Sequence, residues 1–215
     1  MCAIVGSFDS EKLKELVALN SYRGQHSYSI AYYDPRSKKF VHLERNLGEL
    51  PLDCINIPEG CYGICHVQAP TTDAKSIDSV HPAEVDGDLL WHNGILKDKT
   101  VQELKYDYAS PSKWDTHLLL LHLRNMGVPE DVDGTFSCLW YDSEHRNILL
   151  FRNEISPMFY DDKLNISSTR FEGSVETEPN LMLVIDFLSH KLAGPLFKLI
   201  PVNKFITVEN PYFFA

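Results

Sequence analysis

The apolar positions along the chain change period several times, and each change marks an element. Residues 1–7 (Met-Cys-Ala-Ile-Val-Gly-Ser) are apolar and partly β-branched, which predicts a buried first strand. Asp9 or Ser10 then caps a helix running to about Asn20, with Leu13, Leu16, Val17 and Leu19 on its apolar side. Tyr28–Tyr33 and Lys39–Leu43 read as strands about the turn Asp34-Pro35-Arg36-Ser37. Cys61–Val67 is a further strand. Ala69–Pro82, rich in Pro, Thr, Asp and Ser, is a loop, and Leu89–His92 is a short strand ending at Asn93-Gly94.

Trp114–Asn125 carries leucines at 118, 119, 120, 121 and 123. So little polar surface predicts a helix held between layers, with Gly127 as its stop. Thr135–Asp142 and Asn147–Arg152 form a hairpin, and Met158–Tyr160 with Leu164–Ser168 a second pair. Leu181–Ile185 and Lys204–Val208 supply late strands. Many short strands that do not alternate regularly with two or three helices indicate an α+β or layered sandwich, not a doubly wound parallel sheet.

Composition narrows the function classes. A length of 215 residues suggests one domain over 1–215 with a core that needs no metal or disulfide staple. Twenty basic against thirty acidic residues give a net charge of −10, which argues against a nucleic-acid or anionic-membrane surface. No apolar run reaches membrane-span length, and the apolar start runs into a charged segment instead of a signal-peptide core. Five cysteines at irregular spacing make a poor disulfide framework. The expected location is therefore a reducing cytoplasm, that of a host cell if the protein is viral.

Cys2 directly follows Met1. Removal of the methionine would leave a thiol and a free α-amine on one residue, so the nucleophile carries its own base. Alone, such a cysteine is more often a small apolar strand residue. Its neighbours change that reading. Met-Cys-Ala-Ile-Val-Gly resembles the start of the class II glutamine amidotransferases, MCGIVG, with Ala3 for glycine. Further likenesses follow in the family's order. Arg23-Gly24-Gln25-His26-Ser27 resembles R-G-x-D-S, and Gly63-Ile64-Cys65-His66 with Thr71 resembles its glutamine-holding strand and loop. His81-Pro82 matches a histidine-proline pair, and His92-Asn93-Gly94-Ile95 matches H-N-G-I. Trp114-Asp115-Thr116 resembles T-D-T, and Gly134-Thr135-Phe136-Ser137 with Arg152 resembles the final hairpin.

The resemblance implies an N-terminal-nucleophile (Ntn) hydrolase fold, a four-layer αββα sandwich of two stacked antiparallel sheets. It implies hydrolysis of the glutamine side-chain amide through a thioester on Cys2, with ammonia passed to a separate acceptor or synthetase. No metal or other cofactor is required. It assigns the oxyanion donors to the Asn93 side chain and the Gly94 N–H, where glycine admits close approach and a positive φ. Asn-Gly is also the strongest short hairpin signal, but residues 95–98 do not alternate as a return strand. Arg23 orders the catalytic end. His66, Gln68 and Thr71 line the substrate site, and Asp115 meets the substrate's α-amine while complementing a helix dipole.

The pattern departs from the family where it usually has an arginine for the substrate α-carboxylate, a charge-assisted grip that Gln68 cannot supply. Lys75, Arg124 and Arg152 are the cations available instead. His26 stands where an acid is common and Ser29 where a glycine is common. Two other readings follow from Gln68: an amidase of the same fold acting on another γ-glutamyl or peptide amide, or a catalytically silent binding or regulatory domain. A zinc site among Cys61, Cys65, His66, His81 and His92 is disfavoured, because Cys61 and Cys65 share one strand face while His66 takes the other. His117 and His122, five apart on the leucine-rich helix, do not share a face.

Overall fold

The structure, a computed structural model, describes residues 2–69, 76–129 and 132–198. Thr71, Lys75 and the expected strand Lys204–Val208 lie outside the described residues, as does Met1. In chain order the strands are β1 Cys2–Ser7, β2 Ser27–Asp34, β3 Lys39–Leu47, β4 Tyr62–Gln68, β5 Ala83–Val85, β6 Asp88–Leu96, β7 Gly134–Asp142 and β8 Asn147–Arg152. They are followed by β9 Phe159–Tyr160, β10 Ile166–Ser167, β11 Val175–Glu176, β12 Leu181–Asp186 and β13 Lys191–Lys198. The helices are α1 Ser10–Asn20, α2 Asp98–Asp107 and α3 Asp115–Met126.

The described strands form two antiparallel sheets, ordered β11-β9-β10-β1-β4-β2-β3 and β13-β12-β8-β7-β6-β5. Side-chain alternation divides the apolar residues into three layers. Ile4, Tyr62 and Ile64 of the first sheet meet Trp91, Leu139 and Leu150 of the second in the central core. The outer face of the first sheet, Ala3, Val5 and Cys65 among it, packs on Leu13, Leu16 and Val17 of α1. The outer face of the second, Leu90, Phe136 and Phe151 among it, packs on the leucines of α3 and on Leu104 of α2. The order helix, sheet, sheet, helix is the expected αββα sandwich.

Local chemistry accounts for the element ends. Asp9 Oδ1 accepts from Lys12 N at 2.8 Å and caps α1. Buried residues at 13, 16, 17 and 20 keep one face of α1 on the sheet. Gly127 terminates α3 in the left-handed region, φ 75°, with its N–H on Leu123 O at 2.7 Å.

Several expected boundaries are corrected. β6 does not end at Asn93-Gly94 but runs through it to Leu96, so the pair is strand and not turn. β3 extends to Leu47, because its partner β2 runs on to pair Ser27 with Leu47. α2 has no forerunner in the sequence reading, since only Thr100 and Leu104 are buried and most of the remainder is polar. The partner of β12 is β13, Lys191–Lys198, whose Gly-Pro interruption masks its strand pattern.

Candidate active site

The site forms where the two sheets face each other at one end of β1, β4 and β6. Cys2 lies directly opposite Gln68 on β4. Cys2 is 7% exposed, and its Sγ lies 3.9 Å from Ala69 O. Burial pushes the thiol up to about 11, helped by the Asp115 carboxylate and opposed by the Arg23 charge. Both charged residues therefore act on the nucleophile. Gly24 keeps Arg23 close: a Cβ there would fall 2.2 Å from the Gln68 carbonyl carbon. Arg23 donates through Nε to Thr169 Oγ1 at 3.0 Å and through Nη2 to Ser168 O at 3.4 Å.

Asn93 projects from β6 toward β1. Its Nδ2 donates to Ser168 Oγ at 3.3 Å, and the same hydroxyl accepts from Ile4 N at 3.0 Å. One buried hydroxyl thus ties the amide to the nucleophile's strand. The second Nδ2 hydrogen is left for another acceptor.

The direction of the Gly94 N–H follows from strand parity. Phe136, opposite Gly94, directs both backbone groups to β8: it accepts from Asn153 N at 3.0 Å and donates to Asn153 Oδ1 at 3.3 Å. Gly94 and Phe136 are thus a non-hydrogen-bonded pair, and the Gly94 N–H points to the other edge of β6. On that edge β5 has ended, its Ala83 pairing with Leu90. Positions of the same parity agree. His92 O accepts from His66 Nε2 at 3.4 Å, and Leu96 N donates to Asp115 Oδ2 at 3.1 Å. Gly94 does not have a positive φ, contrary to the expectation; it is needed because a Cβ would fall 1.8 Å from Thr135 O.

Asp115 holds the expected place at the helix start. It stands in the first turn of α3, and its Oδ2 and Oδ1 accept from Leu96 N and from Thr116 N at 2.7 Å. A carboxylate keeps further lone pairs for an incoming ammonium. His66 is placed in the wall: it is fully buried and its ring lies 4.1 Å from that of His81. Burial lowers it to about 3, so it is neutral. Gln68 donates to Ser79 O at 3.3 Å, and its Oε1 lies 3.1 Å from His81 Nδ1. Both ends of its head group hold the β4–β5 connection.

The two described cations expected to replace the arginine are engaged elsewhere. Arg152 is buried and donates to Thr177 O at 2.6 Å and Glu176 at 2.8 Å. Arg124 pairs with Asp86 and Asp88 at 3.2 and 3.0 Å. The sequence reading missed Thr116 and Ser168. Thr116 stood in the quoted Asp-Thr pair, where its hydroxyl was a legible polar group; Ser168, 75 residues from Asn93, carried no local signal.

No protein-family model matches the chain. It is 32% identical over 133 residues to a glutamine–fructose-6-phosphate aminotransferase (isomerizing) of Mesorhizobium japonicum, covering 55% of this chain and 21% of that protein. It is 30% identical over 152 residues to one of Rhizobium leguminosarum bv. viciae, covering 65% and 25%. The chain spans about a fifth to a quarter of the length of these relatives. Its fold is similar to that of glutamine phosphoribosylpyrophosphate amidotransferase from B. subtilis, with TM-score 0.62 and 15% identity over 86% of this chain and 47% of that one. The ordered motifs, the two-sheet architecture and these relatives agree: the chain resembles a domain of the class II glutamine amidotransferase type.

Proposed function

We propose that the domain hydrolyses the side-chain amide of glutamine. The Cys2 sulfur attacks the amide carbon, and Asn93 Nδ2 and the Gly94 N–H receive the oxyanion. The C–N bond breaks, and ammonia leaves with the thiol proton, carried by the Cys2 α-amine. Water then attacks the thioester, releases glutamate and restores the thiol. A buried thiol near 11 needs that base. A free α-amine, with a pKa of roughly 7.7–8.0, supplies it once Met1 is removed. Asp115 receives the substrate ammonium, Arg23 braces the nucleophile's end, and Thr71 is a further substrate-binding residue. The ammonia passes to a separate acceptor or synthetase in the cytoplasm. Among the described residues no helix is long and apolar enough to cross a membrane.

The observation that carries this reading is the Ser168 hydroxyl, which holds the Asn93 amide and the Cys2 strand together. The test uses protein whose intact mass shows Met1 removed. Glutamate and ammonia should form in equal amounts from glutamine, and a diazo-ketone glutamine analogue should add one adduct, on Cys2. Protein lacking Met1 that forms neither product nor adduct sinks the reading.

The occupied head group of Gln68 favours a second reading, an amidase for a γ-glutamyl or peptide amide without a free α-carboxylate. Turnover of such amides with none of glutamine would establish it.

A further inference from the structure

A buried chain of polar groups runs behind the site. His92 Nε2 lies 3.1 Å from Thr135 O, and His92 Nδ1 lies 3.1 Å from Thr116 Oγ1. Thr116 Oγ1 lies 3.0 Å from His81 Nε2, and His81 Nδ1 faces Gln68 Oε1. Thr116, His81 and His92 are 1–3% exposed. The two ends fix the protons. Thr135 O only accepts, so His92 Nε2 carries a hydrogen; Gln68 Oε1 only accepts, so His81 Nδ1 carries one. Both remaining ring nitrogens face the Thr116 hydroxyl, which has one proton to give and also lies 3.4 Å from Asp115 Oδ1.

The far end of this chain reaches the oxyanion strand. At Ile95–Thr135, Ile95 N donates to Thr135 Oγ1 at 3.1 Å, and Thr135 O lies 3.1 Å from His92 Nε2. That same carbonyl and ring form the floor under Gly94, 1.8 and 2.5 Å from where a Cβ would stand. Whatever holds the His92 ring therefore sets the Gly94 peptide.

We propose that Thr116 is a positioning residue for the oxyanion donor. Its hydroxyl, facing His92 Nδ1, fixes the rotation of the His92 ring, whose Nε2–H holds Thr135 O beneath Gly94 and so aims the Gly94 N–H. Through His81 the same hydroxyl joins that strand to Gln68, opposite Cys2. The catalytic consequence rests on the proposed amide hydrolysis; the hydrogen bond to His92 Nδ1 does not.

The test has two arms on the full chain. In kinetics, Thr116→Val, which keeps shape and loses the hydroxyl, should lower kcat roughly 10- to 100-fold, short of the roughly 10²–10³ for deleting a donor. KM should stay within about twofold, and Thr116→Ser should restore most of kcat. Native kcat in Thr116→Val, or a loss that Thr116→Ser does not restore, overturns the proposal. In nitrogen NMR of histidine-labelled protein, His92 should be the Nε2–H tautomer in the native chain, and its Nδ1 resonance should move downfield in Thr116→Val, where the hydroxyl donor is lost. An Nδ1 resonance unchanged by Thr116→Val overturns it. Should the native chain turn over no amide, the proposed function falls, and the NMR arm still decides the role of Thr116.

Discussion

Gln68 sits directly across the ladder from Cys2, yet its head group turns away to Ser79 O and His81 Nδ1. The residue in the arginine's place thus builds the wall beside the nucleophile. Gln68→Arg can keep a donor for Ser79 O but cannot accept from His81. The expected outcome is a lower KM for free glutamine, from the added charge, with stability reduced by about 1 kcal/mol. Steady-state kinetics and urea unfolding check both, and an unchanged KM would show that the carboxylate is met elsewhere.

Asn93 and Ser168 separate donor from support. Asn93→Ala removes an oxyanion donor and should lower kcat about 10²–10³-fold with little change in KM. Ser168→Ala keeps the amide and loses its tether to Ile4, and should cost less in kcat. Equal losses in both variants would show that the tether, not the donor, matters.

Gly94→Ala places a methyl 1.8 Å from Thr135 O, a backbone atom with no room to yield. β6 and β7 must part locally, so the variant should be destabilised by about 1–3 kcal/mol or more and should lose activity. A melting temperature and kcat near native would contradict the close approach described here.

Burial keeps His66 at about 3 and His81 well below the usual imidazole value. In the unfolded chain both titrate near 6.5. Their folded pKa values are lowered, so the unfolded state binds protons that the native state refuses. Stability is complete above about pH 6.5 and falls as pH drops toward 3 for His66, by about 1.4 kcal/mol per pH unit for each such histidine. Urea midpoints measured at pH 7, 6 and 5 should decline. His66→Gln, which keeps a donor for His92 O, should flatten the slope by about one proton; an unchanged slope would mean that His66 is not held neutral.

The sequence by itself determined the elements with strong periods or unambiguous ends. The β-branched run of β1, Leu13, Leu16 and Val17 of α1 (though not Leu19, which is exposed), the leucines of α3 and Gly127 are local properties of adjacent residues. Cys2, Asn93, Gly94 and Asp115 were legible because each stands in a short motif. Elements with weak periods escaped, as α2 did with two buried side chains, and the Asn-Gly signal could not show that β6 passes straight through it. Only the tertiary structure decided what these residues face. It turned the Gly94 N–H to the edge of β6 past the end of β5, because Phe136 bonds to Asn153, and traced the need for glycine to Thr135 O rather than to φ. It also brought Ser168 beneath Asn93 and closed a histidine chain on Thr116. The physical reason is range: periodicity and capping act within a few residues, whereas strand pairing sets parity and proton positions between residues far apart in the chain.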